Sequence, residues 1–191
     1  AARVPKNVRL CNGLLNRRLK NLMYNELHSI DTSAEALDLL KIIVSNAETM
    51  LSRGMNLGGI ITMGEYLRTR GHKVDFVKLE NWLDTLQLRA MAELQGNVLI
   101  SVFGFDEDEL PFVTKPDPKA YRLTLRSVSD LAKDTAQEWH FKQNSAGFVQ
   151  NNSAVLQRSL RRSLRYVGYA PVETTSNFFY NFVRSLSEIE E

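Results

Sequence analysis

The run Asn97-Val98-Leu99-Ile100-Ser101-Val102-Phe103-Gly104-Phe105 decides how the fold is read, because it gathers branched and aromatic residues between Gly96 and the acidic tetrad Asp106 to Glu109. Such residues suit a pleated, half-buried surface, so a strand is expected from Asn97 to Phe105. A partner strand is expected from Tyr121 to Val128, where Tyr121, Leu123 and Leu125 alternate with Arg122, Thr124 and Arg126, which would put one face in the core and one in water. The acidic tetrad and the stretch from Pro111 to Pro118 would connect the two. The fold class expected is therefore α+β and helix-dominated, with a small antiparallel β-hairpin packed on helices and a peripheral amphipathic basic helix.

Towards the N-terminus the spacing turns helical. Leu10 to Leu27 places Leu15, Leu19, Leu22 and Met23 on one stripe. A second helix is capped by Asp31 or Thr32, carries Glu35 near its start, and continues an apolar side through Ala36, Leu39, Leu40, Ile43, Ala47 and Met50 until Gly54, Gly58 and Gly59 stop it. Thr62 would cap a short helix through Leu67, and Arg70-Gly71-His72-Lys73 breaks the pattern. A longer helix is expected from Asp75, its cap, to Leu94, with Leu79, Trp82, Leu83, Leu86 and Ala90 facing the core and Gly96 ending it.

Towards the C-terminus, Ser129 or Asp130 would cap a helix from Leu131 to Phe141. Asn151-Asn152-Ser153 opens the next, from Val155 to Val167, which Gly168 and Pro171 end. A last helix is expected after Thr174-Thr175-Ser176, with Phe178, Phe179, Phe182, Val183 and Leu186. No internal repeat stands out, and residues 1–191 are expected to form one domain with an N-terminal helical hairpin and a C-terminal docking helix.

A chain of 191 residues, 43% of them hydrophobic, can bury a sizeable core. Its 24 Lys and Arg nearly balance 22 Asp and Glu, for a net charge of +2, so attraction to a charged partner must come from local segregation rather than the whole-molecule field. Segregation is present. Residues 1–20 hold Arg3, Lys6, Arg9, Arg17, Arg18 and Lys20 without an acid, whereas Asp106 to Glu109 and Glu188-Ile189-Glu190-Glu191 are acidic. The two signs would serve different partners, or each other in a homo-oligomer.

The sharpest segregation lies between Val155 and Val167. At the helical repeat, Arg158, Arg161, Arg162 and Arg165 fall opposite Leu156, Leu160, Leu164 and Val167. Guanidinium groups pair with phosphate oxygens and carboxylates alike. The sequence thus points to a non-enzymatic adaptor that holds the backbone of DNA or RNA through these arginines while the leucine side docks on the body. The alternative is a protein-binding scaffold or assembly subunit that turns the same arginines to an acidic protein subunit. Arg9, Arg17, Arg18 and Lys20 form a secondary basic patch, and Phe178, Phe179 and Phe182 a protein interface.

Helix order from Gly59 to Leu94, followed by a hairpin, also matches a winged helix-turn-helix, with Lys78, Asn81, Gln87 and Arg89 towards DNA. Glu80, Asp84, Glu93 and the acidic tetrad oppose that reading.

Catalytic chemistry finds little support. Cys11 is the only cysteine, which excludes an intramolecular disulfide and leaves no cysteine-built zinc site. His28, His72 and His140 lack ligand spacing; no serine sits in a nucleophile turn, and Gly54 to Gly59 matches no phosphate-binding or dinucleotide pattern. No catalytic residue, metal or cofactor is expected. The sequence shows no stretch long enough to span a membrane and no secretory core, so a soluble intracellular setting is expected.

Overall fold

A computed structural model describes residues 2–139 and 160–187, with side chains over 2–129 and 160–183. Seven helices organise the described residues: α1 Gly13–Leu27, α2 Ala34–Ser52, α3 Leu57–Arg70, α4 Phe76–Thr85, α5 Arg89–Phe103, α6 Ala120–Trp139 and α7 Pro171–Ser187. Single 3-10 turns occupy Gly71–Lys73 and Glu107–Glu109, and residues 160–166 are helical before α7. Among the described residues there is no strand, which overturns the expected α+β class and its hairpin.

The centre is α2. Leu37, Ile42, Val44 and Leu51 are buried as well as the expected Ala36, Leu39, Leu40, Ile43, Ala47 and Met50, so the helix is apolar almost all round. A helix of that kind is stable only when covered on several sides; α1, α3, α4, α5 and α7 all pack on it. Asn46 and Gln95 tie α2 to α5 through buried side-chain hydrogen bonds. The Asn46 amide donates to the carbonyl of Gly59 at 3.0 Å and to Gln95 Oε1 at 3.1 Å, and Gln95 donates to the Ile43 carbonyl at 3.1 Å.

Residues 97–103, expected as strand, are the second half of α5. Met91, Leu94, Gln95, Val98 and Leu99 are buried at three- and four-residue steps, whereas the alternation of a strand would have buried Val102, which is exposed. Gly96 does not end the helix. It is a flat spot where an added Cβ would lie 2.3 Å from Val113 and 3.3 Å from Phe112, which seat there from the proline-bearing connection. The real stop is Gly104, left-handed at φ 65°, with the Phe105 N–H bonded to the Leu99 carbonyl at 3.2 Å. The Gly104 N–H closes on the same Leu99 carbonyl, so two successive donors end the helix there in a left-handed turn that a glycine makes at no steric cost.

The second expected strand is the first half of α6. Its buried residues are Ala120, Thr124 and Ser127, one face of a helix, while Tyr121, Leu125 and Val128 point outwards. The long helix expected from Asp75 to Leu94 is two, α4 and α5, broken at Leu86-Gln87-Leu88. Gln87 takes φ 55° there. That conformation costs about 1 kcal/mol and is offset by Leu86 and Leu88, both fully buried. Asp75 caps α4 as expected, accepting from Lys78 N at 2.9 Å, but α2 begins at a Ser33 cap whose N–H is held by Glu26, 2.6 Å away. The last helix starts at Pro171, so Thr174, Thr175 and Ser176 lie inside it. The expected helix start at Asn151–Ser153 lies outside the described residues.

Candidate interaction face

Two eight-residue stretches build the face. Tyr121-Arg122-Leu123-Thr124-Leu125-Arg126-Ser127-Val128 and Leu160-Arg161-Arg162-Ser163-Leu164-Arg165-Tyr166-Val167 share Arg122/Arg161, Leu125/Leu164, Arg126/Arg165 and Val128/Val167. The correspondence is readable in the sequence, although separated by a span that hides it. In three dimensions the seventh positions meet: the hydroxyls of Ser127 and Tyr166 are 3.2 Å apart, and Arg165 donates to the same Ser127 Oγ at 3.2 Å.

Thr124 and Ser127 in the first stretch and Tyr166 in the second turn inwards, and an apolar row in each turns out. Leu160, Leu164 and Val167 are 47%, 69% and 43% exposed, and Tyr121, Leu125 and Val128 are 52%, 53% and 45% exposed. This reverses the orientation expected for the arginine helix, whose leucine side was to be the docked one. Tyr166 is the anchor instead, fully buried. Tyr169 adds a second clamp, donating to Asp117 Oδ2 at 2.5 Å, and Asp117 N–H in turn donates to Asn97 on α5 at 2.8 Å.

The arginines divide accordingly. Arg162 donates to the carbonyl of Ser52, the last residue of α2, where a cation complements the negative end of the helix dipole. Arg165 is held at Ser127. Arg161 is exposed, as are Arg122 and Arg126 beside the other row, and none of these three has an ion pair among the described residues. Arg158 and Leu156 lie outside the described residues. Each stretch therefore carries an exposed apolar row, with Arg122 and Arg126 exposed on the first and Arg161 on the second.

Other sequence-selected residues are spread through the fold. Arg9 reaches Glu48 at 3.4 Å, Arg18 donates to the Thr85 carbonyl at the end of α4 at 3.2 Å, and Arg17 and Lys20 are exposed. Phe178 stacks on Phe182 with centroids 6.2 Å apart and meets Phe179 edge-on at 5.9 Å. Phe179 and Phe182 remain exposed, next to exposed Tyr180 and Val183.

Two of the four residues expected to read DNA are occupied within the fold, whereas Asn81 and Gln87 are exposed. Lys78 bridges buried Glu26 at 3.0 Å and the Asp31 carbonyl at 2.6 Å, while Arg89 pairs with Asp84 and Glu80. With no hairpin to serve as a wing, the winged-helix reading falls. In the acidic tetrad, Glu109 binds Arg68 at 3.0 Å, and that contact, aided by the Asp106 N–H, holds its carboxyl below the ordinary range. Arg68 also lies 3.9 Å over the Phe105 ring.

One site had no local signal in the sequence. Glu173, in the first turn of α7, turns its carboxylate to the start of α1 and accepts from the N–H groups of Cys11 and of Asn12, the latter at 3.0 Å. Burial pushes its pKa up, the two N–H donors oppose that, and Glu48 adds to it. The neighbouring Cys11 thiol is also pushed up, by burial first and then by Glu173, the opposite of what a reactive thiolate requires.

A carboxyl whose folded pKa is raised holds its proton more tightly in the native state, so its contribution is full below the unfolded value of 4.5 and falls as pH rises through the folded value. Glu173→Gln, which removes the buried charge but keeps only one of the two accepting oxygens, is expected to flatten that slope and to cost less at neutral pH than full removal of the side chain. Glu173→Ala orphans both N–H groups and is expected to cost about 1–3 kcal/mol. Denaturation across pH checks both; equal losses in the two variants would show that the carboxylate charge itself is required.

Among the described residues no group of three or more His, Cys, Asp or Glu is placed to hold a metal, and no helix is long and apolar enough to cross a membrane. Comparison with family models, curated proteins and solved structures finds no match for this chain.

Proposed function

We propose that this chain is a protein-binding module whose α6 and 160–167 face docks an amphipathic helix with acidic flanks. The observation that carries the reading is the pairing of outward aliphatic rows with Arg122, Arg126 and Arg161. Aliphatic side chains at one-turn spacing are the surface a groove-docking helix uses, and unpaired cations beside them favour carboxylates at its edges and oppose basic helices. Nucleic acid would need the arginines without the leucines, and two of the arginines in question are bonded within the fold. An intracellular, reducing setting fits the lone Cys11 and belongs to the same proposal.

The test offers the purified protein a synthetic amphipathic helix of leucine and glutamate in heptad order, with random-sequence DNA and RNA in parallel. Binding of the peptide that weakens with salt and drops roughly tenfold or more in Leu125→Ser/Leu164→Ser is expected, since exposed aliphatic anchors carry such contacts. Salt-sensitive binding to nucleic acid, unaffected by that pair and lost in Arg161→Ala, would overturn the reading in favour of phosphate recognition.

A further inference from the structure

The geometry points to a second copy of this chain as the occupant of the face, through its α7 and the acidic sequence that follows. This rests on the reading of the face as a protein-docking surface. Beyond the stacked ring of Phe178, α7 exposes Phe179 and Val183, four residues apart and so on one side of the helix. The chain then continues Glu188-Ile189-Glu190-Glu191. The C-terminal region thus combines an outward apolar row with three carboxylates, the complement in both respects of the aliphatic rows beside Arg122, Arg126 and Arg161.

Charge decides between this occupant and the other obvious one. A face-to-face pairing of two identical α6 and 160–167 surfaces would oppose arginines to arginines, a like-charge juxtaposition that disfavours association. Face-to-C-terminus pairing matches opposite charges. It joins different patches of the two copies, so it forms a two-fold dimer when reciprocal and otherwise a ring or an open filament.

Two charge-reversed variants of the full chain test it. Arg122→Glu/Arg126→Glu loses the basic face and keeps the acidic segment; Glu188→Lys/Glu190→Lys/Glu191→Lys does the converse. In sedimentation equilibrium the unaltered chain is expected to associate with concentration and to loosen with salt. Each variant alone is expected to associate at least roughly tenfold more weakly, in the range seen when close interfacial charge pairs are broken. The two variants mixed are expected to recover association, because one supplies the face and the other the acidic segment. Arg122 and Arg126 are exposed, and circular dichroism of each variant is the check that its helices persist.

A chain that stays monomeric at every concentration, variants that associate as well as the unaltered chain, or a mixture that fails to recover would each overturn the proposal. If the leucine-glutamate peptide binds while the chain stays monomeric, the docking face stands and only its occupant changes. If neither binds, both readings fall.

Discussion

Replacing Gly59 with alanine is expected to destabilise the fold by about 3 kcal/mol, although the same change in an exposed helix raises helix propensity by about 1 kcal/mol. The reason lies at the crossing of α2 and α3. A Cβ at Gly59 would stand 2.1 Å from Asn46 Oδ1 and 3.0 Å from its Cγ, so the amide must leave. Asn46 is the link between the Gly59 carbonyl and Gln95. Moving it leaves buried polar groups without partners, at about 1–3 kcal/mol, and adds overpacking of similar size. Gly58→Ala is the control: that glycine is exposed and would meet only Asn56 Oδ1, at 3.3 Å, so a neutral or slightly stabilising effect is expected. Chemical denaturation of the two variants separates helix propensity from close approach; a Gly59→Ala protein as stable as the parent would remove the crossing from the account.

Tyr166→Ala is expected to have an effect of similar or greater size, about 3–5 kcal/mol for removing a large, fully buried aromatic side chain, but its consequence is local. Tyr166 is the inward anchor of the segment that displays Leu160 and Leu164. Without it, the hold on Ser127 from that ring is gone and the segment retains Arg162, Arg165 and Tyr169 as tethers. Amide hydrogen exchange over 160–170 is expected to accelerate strongly while α2 and α5 change little, as happens when one cooperative unit opens alone. Tyr166→Phe, which loses only the hydroxyl contact with Ser127, is expected to cost about 1 kcal/mol. Unchanged exchange over 160–170 in the alanine variant would mean that the three tethers suffice.

Helices α1, α2 and α4 are legible in the sequence because their apolar residues recur at three- and four-residue steps, and Asp75 announces the start of α4. The error at residues 97–105 has a definite cause. Branched and aromatic residues favour extended backbone locally, but burial of Val98 and Leu99 on the stripe begun by Met91 and Leu94 keeps the chain helical. Gly104 followed by apolar Phe105 was the stop signal, since a left-handed glycine with an apolar residue after it is how many helices close. At Tyr121 to Val128 the alternation was real but irrelevant, because the body accepts the small Ala120, Thr124 and Ser127 and leaves the larger residues outside.

The arginine face was legible as a pattern and misread in direction. Apolar side chains were assigned to the core on the usual ground of burial, yet a helix can anchor through one tyrosine and leave its leucines out. No local pattern could have revealed that Arg162 ends at the last carbonyl of α2, or that Glu173 closes the first turn of α1. Those pairings span more than a hundred residues, and only the assembled fold brings them together.

The apolar perimeter of α2 also sets a condition on synthesis. Residues 34–52 leave the ribosome before any of α3, α4 or α5 exists, and the last cover on that side, α5, is complete only at Phe103. Until then the cover that α5 gives α2 is missing, and a nascent chain with apolar surface exposed is prone to aggregate. Translation speed and chaperone occupancy over the following fifty or so codons, roughly several seconds of elongation, are therefore expected to affect how much of the chain reaches its fold.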